Sequence, residues 1–291
     1  MPEAIERVRA LAIWSGPVSP EPLTGGITNV NFTVADGGQK YVVRVGDDIV
    51  LHQVMRFNEA AASRAAHASG ISPEVVHAEP GLLVIRFIDG KTFTEKDVRN
   101  RENLARIVPL IKKVHGEVPN HLRGPALIFW VFHVLKDYAA TLREGGSVHL
   151  AKLDRLMGIA TELEHAVGPV TIVYGHNDLL AGNFIDDGDR IWLIDWDYGG
   201  FNSPLFDLAN LATNNGLSPE QEAWLLGEYF GEAPDRNLLR RFEAMKCASL
   251  LRETMWSMVS ELHSKIEFDY AGYTAENLDR FERALARYKG R

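Results

Sequence analysis

Only one cysteine, Cys247, occurs among the 291 residues. A single thiol excludes a disulfide framework and a thiolate zinc site within the chain. Basic residues are in deficit, with 31 Lys and Arg against 39 Asp and Glu, a formal net charge of −8. Phosphate backbones call for clustered Lys and Arg, so nucleic acid is not expected as a partner. Long apolar runs are missing. The most apolar stretch, residues 126–135, is too short to span a bilayer and is broken by His133, so no membrane insertion is expected. The opening residues lack the basic start and apolar run of a signal peptide, and a cytoplasmic protein is expected. His115, His121, His133, His149 and His165 have no metal-ligand spacing and read as packing or surface residues. There is no G-x-G-x-x-G, which removes a Rossmann reading. Gly90-Lys91-Thr92 imitates the end of a Walker loop, but Ile85 stands where its earlier glycine is required.

What the chain does have is a dense polar stretch at 173–197. His176, Asp178 and Asn183 form H-x-D-x4-N on a tight loop after a short β-prone run. Asp186-Asp187-Gly188-Asp189 is a hairpin turn signal, and the returning strand ends in Asp195. Folding this hairpin brings Asn183 near Asp195. Two hard oxygen ligands and one free carboxylate, Asp178, then stand at its open end. Mg²⁺ takes few protein oxygens and keeps the rest of its shell for water and phosphate. A carboxylate beside it can orient a hydroxyl, which is equipment for phosphoryl transfer from a nucleotide to an alcohol. Asp197 follows Asp195 by two residues, on the same side of a strand, and is a candidate further ligand. His176 reads as a brace of the loop rather than a catalyst.

The rest of the chain divides in two. Residues 2–14 read as an amphipathic helix. Residues 23–34 read as strand, turn and strand around Gly25 and Gly26. Backbone N–H groups there, with Thr28 and Asn29, are candidates to cover phosphates. Residues 39–45 form the next strand, where Lys40 and Arg44 are both candidate phosphate cations. Arg44 lies within an apolar run and needs a partner, and Glu59 on a helix at about 56–69 is the obvious one. Strands at 75–77 and 82–87 lead to a hinge at 88–91. Helices are expected at 94–115 as one piece capped by Thr94, then at 129–143, 148–167, 220–230, 237–265 and 274–288, with another opening at Leu205 and a loop at 119–125. A β-rich part followed by a mostly helical part gives an α+β chain with two lobes, residues 1–87 and 88–291, and a cleft between them.

H-N-D-x4-N followed by I-D-W-D resembles the kinase-like phosphotransferases that include choline and ethanolamine kinases and aminoglycoside phosphotransferases, with further matches to the choline/ethanolamine branch. The resemblance implies a protein-kinase-like fold with a small antiparallel-sheet N-lobe and a larger helical C-lobe. It implies an Arg44–Glu59 pair facing ATP, an adenine edge held near Phe87 and Ile88, and Asp207 bracing the catalytic loop. It also implies an acceptor pocket of aromatics at Trp256, Phe268 and Tyr273, with Tyr198 and Phe201 close in sequence to the Mg²⁺ site. Glu253 stands where eukaryotic choline kinases place another tryptophan, and Asn214 where they place a glutamate. Glu253 would attract an amine by charge, which suits ethanolamine or another amino alcohol. Two other readings stay open: a kinase of an aminoglycoside, amino sugar or thiamine, and a catalytically silent binding module. Monomer and homodimer are both open.

Overall fold

The structure is a computed structural model that describes residues 2–23, 29–264 and 266–290. The expected first helix is shorter than its amphipathic pattern. It ends at Arg9 (α1, Pro2–Arg9) because the chain turns back, letting the Trp14 indole donate to the Val8 carbonyl at 2.7 Å and pack edge-on against Tyr41. Glu21–Leu23 (β1), Val30–Asp36 (β2) and Gln39–Val45 (β3) are antiparallel neighbours, and Arg56–Ala68 (α2) follows. Val75–Glu79 (β4) and Leu82–Arg86 (β5) complete a five-stranded antiparallel sheet of order β1-β2-β3-β5-β4. Side chains alternate across each strand. Phe32, Val34, Val43, Val45, Leu82 and Val84 therefore bury one face, which α1 covers with Val8.

After the sheet come Lys91–Thr92 (β6), Glu95–Arg99 (α3) and Arg101–His121 (α4). The single helix expected from residue 94 is thus two. Thr94 caps the first through a capping box with Asp97, but Asn100 is extended and its side chain accepts from the N–H groups of Glu102 and Asn103, starting a second helix. That helix runs through Pro119 into the expected loop.

Val131–Glu144 (α5), Leu150–Val167 (α6), Val173–Gly175 (β7), Phe184–Asp186 (β8), Ile191–Leu193 (β9) and Gly200–Asn202 (β10) follow. Pro204–Asn215 (α7), Pro219–Phe230 (α8), Arg236–His263 (α9) and Tyr270–Lys289 (α10) complete the chain. From Ala244 to Ser260, α9 is buried nearly all round, at the centre of the larger core. Ala62, Ala65 and Ala66 of α2 belong to that larger core rather than to the sheet's own. Among the described residues, no helix is long and apolar enough to cross a membrane.

Candidate active site

The hairpin forms as the turn signal predicts. Phe184 pairs with Leu193 and Asp186 with Ile191, and the Ile194 N–H donates to the Asn183 carbonyl at 3.0 Å. This register sets Asn183 beside Asp195. The Asn183 amide donates to the Asp178 carbonyl at 2.8 Å, which leaves its oxygen as the group it can offer a ligand. Asn177 and Asp195 are non-glycine residues with φ of 65° and 69°. Such left-handed backbone costs of order 1–3 kcal/mol and persists only where its surroundings fix it.

Asp207, in the first turn of α7, supplies much of that fixing. It is 1% exposed, and its two oxygens accept from the backbone N–H groups of His176 at 2.9 Å and Asn177 at 2.7 Å. Burial opposes its charge, but the hydrogen bond from His115, the neighbouring imidazoles and the His176 N–H hold it below the usual carboxylate range. The His176 ring lies against Trp196, with Nε2 at 3.0 Å from the Ile194 carbonyl and Nδ1 facing the Asp178 N–H. Burial lowers its pKa, so the ring is a neutral brace. His115, expected as a packing or surface residue, is buried against Tyr229 and is also bonded to Asp207 at 2.9 Å and to the Tyr229 hydroxyl at 2.7 Å. Nothing in its spacing gives this away, because its partners are about a hundred residues distant.

A cavity of about 770 Å³ lies between the sheet and the helices. The sheet lobe contributes Val42, Leu83 and Ile85, with Phe87 and Ile88 at the hinge; the larger lobe contributes Asp178, Asn183, Asp195 and Asp197. Burial pushes Asp178 up to about 8, with Glu253, Asp195 and Asp197 adding to the effect and Arg252 opposing it. A carboxyl tuned near neutral pH suits a general base. Among the described residues no cluster of His, Cys, Asp or Glu is arranged as a metal cage. The oxygen donors present are the Asn183 amide and the Asp195 carboxylate, a set that fits Mg²⁺.

Arg44 reaches Glu59 at 2.6 Å, as expected, and also Asp195 and Asp197, each at 2.9 Å. Burial works against its charge, but Asp195, Glu59 and Asp197 together hold its pKa well above the usual value. Arg56, which the sequence reading passed over, binds Glu59 at 2.7 Å and Asp197 at 2.8 Å. It stands three residues before Glu59 on one helix face, a spacing that signals the pair. Asp197, expected as a further Mg²⁺ ligand, has Oδ1 held by both arginines and Oδ2 by the Asn29 amide at 3.2 Å. Oδ1 is thus engaged by the arginines, while Oδ2, with one donor, keeps a lone pair it can offer a cation. Asn29 also accepts from Arg56 rather than lining the cavity. Gly25, Gly26 and Thr28 lie outside the described residues.

Of the expected acceptor residues, Tyr198, Glu253, Trp256 and Tyr273 line the cavity. The Trp256 indole donates to the Tyr198 hydroxyl at 3.0 Å, and the Tyr273 hydroxyl donates to Glu253 at 2.8 Å. Two expected aromatics do not reach it. Phe201, on β10, packs edge-on against Tyr174, and Phe268 is 43% exposed against Tyr270 and Tyr273. Arg252, adjacent to Glu253, does line the cavity and was missed.

Residues 21–226 match the family described as Choline/ethanolamine kinase. The chain belongs to the choline/ethanolamine kinase family. It resembles Protein LicA of Haemophilus influenzae at 27% identity, covering 84% of this chain and 94% of that one. The probable ethanolamine kinase of Arabidopsis thaliana is 28% identical, over 88% and 76% of the two chains. The crystal structure of a choline/ethanolamine kinase family protein from Mesorhizobium loti superposes with a TM-score of 0.79 at 28% identity, covering 98% of this chain and 94% of that one. As a choline/ethanolamine kinase family member with this two-lobed fold, the chain is a phosphotransferase that uses an alcohol as acceptor.

Proposed function

We propose that the chain transfers the γ-phosphoryl group of ATP to the hydroxyl of a small amino alcohol of the choline or ethanolamine class. The observation that carries this reading is the convergence of Asp178, Asn183 and Asp195 on one cavity between the lobes. Asp178 takes the hydroxyl proton and aims the oxygen in line with the donor phosphate. Asn183 and Asp195 would hold Mg²⁺, which when bound neutralises charge on the phosphates. Arg44, braced by Glu59, is assigned to the phosphates, and the hinge at Phe87 and Ile88 to the adenine edge, supported by the apolar lining from Leu83 and Ile85. Gly25, Gly26 and Thr28 keep their assignment to the phosphates on sequence grounds alone. Residues 1–87 form the ATP-covering lobe and 88–291 the acceptor lobe, a division supported by the sheet's end at Arg86. The chemistry needs both carboxyls and the cation in one place, which a silent binding module does not.

The test is ADP release by the purified protein with Mg²⁺ and ATP, with choline or ethanolamine present or withheld. Acceptor-dependent release is expected. A rate that no amino alcohol changes would overturn the reading.

A further inference from the structure

Arg56, at the start of α2, has a side chain only 9% exposed and uses every nitrogen of its guanidinium. Nε donates to the Asp47 carbonyl at 3.0 Å, Nη1 to Glu59 at 2.7 Å and to Asp197 Oδ1 at 2.8 Å, and Nη2 to Asn29 Oδ1 at 2.5 Å. The Asn29 amide in turn donates to Asp197 Oδ2 at 3.2 Å. Three side chains thus close a ring. Asn29 leads into β2, Arg56 begins α2 and Asp197 follows β9, so the ring joins the sheet lobe to the segment that carries Asp195.

The backbone leaves room for this ring. A Cβ on Gly46 would fall 2.7 Å from Asn29 Oδ1 and 3.5 Å from Arg56 Nη2. Gly46 has no left-handed φ, so its own conformation does not require glycine, whereas the neighbouring ring does. Neither Arg56 nor Asn29 lines the cavity, so the ring acts on the site through Asp197, which does.

Glu59 and Asp197 are 1% and 4% exposed, and each is shared by Arg44 and Arg56. Arg44 lines the cavity and is the arginine assigned to the phosphates. Were it the sole counter-ion, turning to a nucleotide would leave two buried carboxylates uncompensated, which is strongly unfavourable. Arg56 stays with both. Its bonds, with that of Asn29, also fix the plane of the Asp197 carboxylate and so the direction of the lone pair left on Oδ2.

We infer that Arg56 is a positioning residue for phosphoryl transfer. Through the ring with Asn29 and Asp197 it fixes the orientation of Asp197 beside Asp195, on which Mg²⁺ binding with the nucleotide depends, and it leaves Arg44 free to serve the phosphates. The inference rests on the phosphotransferase reading above and adds a residue to that site.

The experiment follows ADP binding by tryptophan fluorescence as Mg²⁺ is titrated, beside kcat and the KM values for ATP and ethanolamine. Arg56→Met is expected to raise the Mg²⁺ midpoint about tenfold and to lower kcat about 10–100-fold, the range for a lost hydrogen bond to a charged group, with the KM for ethanolamine changed less than about twofold. Arg56→Lys keeps the charge but not the fork that spans Asn29 and Asp197, so it should recover only part of the loss. Gly46→Ala presses on Asn29 Oδ1 with every charge retained and should shift the Mg²⁺ midpoint in the same direction; it decides the matter if Arg56→Met does not fold. Asn29→Ala added to Arg56→Met should cost little beyond either change alone, as expected of groups that act as a unit. An unchanged Mg²⁺ midpoint in Gly46→Ala and in the Arg56 variants that fold, or a KM for ethanolamine that rises in step with that for ATP, would overturn the inference and leave the phosphotransferase reading intact. If the wild type releases no ADP with any amino alcohol, that reading fails, while the Mg²⁺ dependence of ADP binding still judges the ring.

Discussion

Gly175 has no room for a side chain. A Cβ there would fall 2.7 Å from Asn177 Oδ1 and 3.2 Å from Asp207 Oδ2, against the bonds that hold the catalytic loop. Gly175→Ala is expected to cost about 1–3 kcal/mol in urea unfolding, the usual range for overpacking, and to lower kcat. An unchanged unfolding midpoint would mean that the loop shifts freely. Asp178→Asn keeps the shape and removes the base, so kcat should fall about 10²–10⁴-fold with ATP affinity by fluorescence titration preserved. A variant near the wild-type rate removes Asp178 from proton transfer. At this scale the sequence is legible where chemistry forces a local spacing. Asp178, Asn183 and Asp195 are close along the chain and meet in one cavity. Arg252 and His115 are not legible, since each gains its meaning from groups far away in sequence. Phe201 and Phe268 look like pocket residues because aromaticity alone says nothing of direction, and both turn elsewhere.

The helices were readable as elements, and their ends less so. A periodic apolar pattern crosses Asn100 without interruption, yet a short polar side chain there serves the backbone better as a cap than as a helical residue. Asn100→Ala should lower stability by about 1 kcal/mol, and thermal unfolding followed by far-UV circular dichroism would register it. No change would show that α3 and α4 are held apart by packing alone. α9 illustrates the opposite limit. A helix buried on every side has no polar face to give its orientation, so the sequence could not say that Arg252 lines the cavity while Leu251 packs the core.

The division into a sheet lobe and a helical lobe was evident from the order of β-rich and helical segments, because each burial pattern needs its own layer. The packing of one lobe on the other was not, and one histidine sits in it. His52 meets the Tyr138 hydroxyl at 3.3 Å, the Ser260 hydroxyl at 3.1 Å and the Trp256 ring at 5.0 Å between centroids. Burial, with Arg252 and His263 adding to it, lowers its pKa to about 3. The unfolded chain binds this proton near pH 6.5 and the folded chain does not until about pH 3. Stability from this group is therefore complete above pH 6.5 and declines by about 1.4 kcal/mol per pH unit as acidity rises below it. Urea unfolding at pH 7, 6, 5 and 4 should reveal the slope, and His52→Gln should flatten it. Parallel slopes would clear His52 of any part in acid sensitivity.

Arg44 belongs to the sheet and Glu59 to α2 of the same lobe, while Asp195 and Asp197 stand in the helical lobe across the cleft. Parting the lobes strips Arg44 of both aspartates and Arg56 of Asp197, while each arginine keeps Glu59. The mouth therefore cannot gape dry: each widening has to admit water to replace those acids around Arg44.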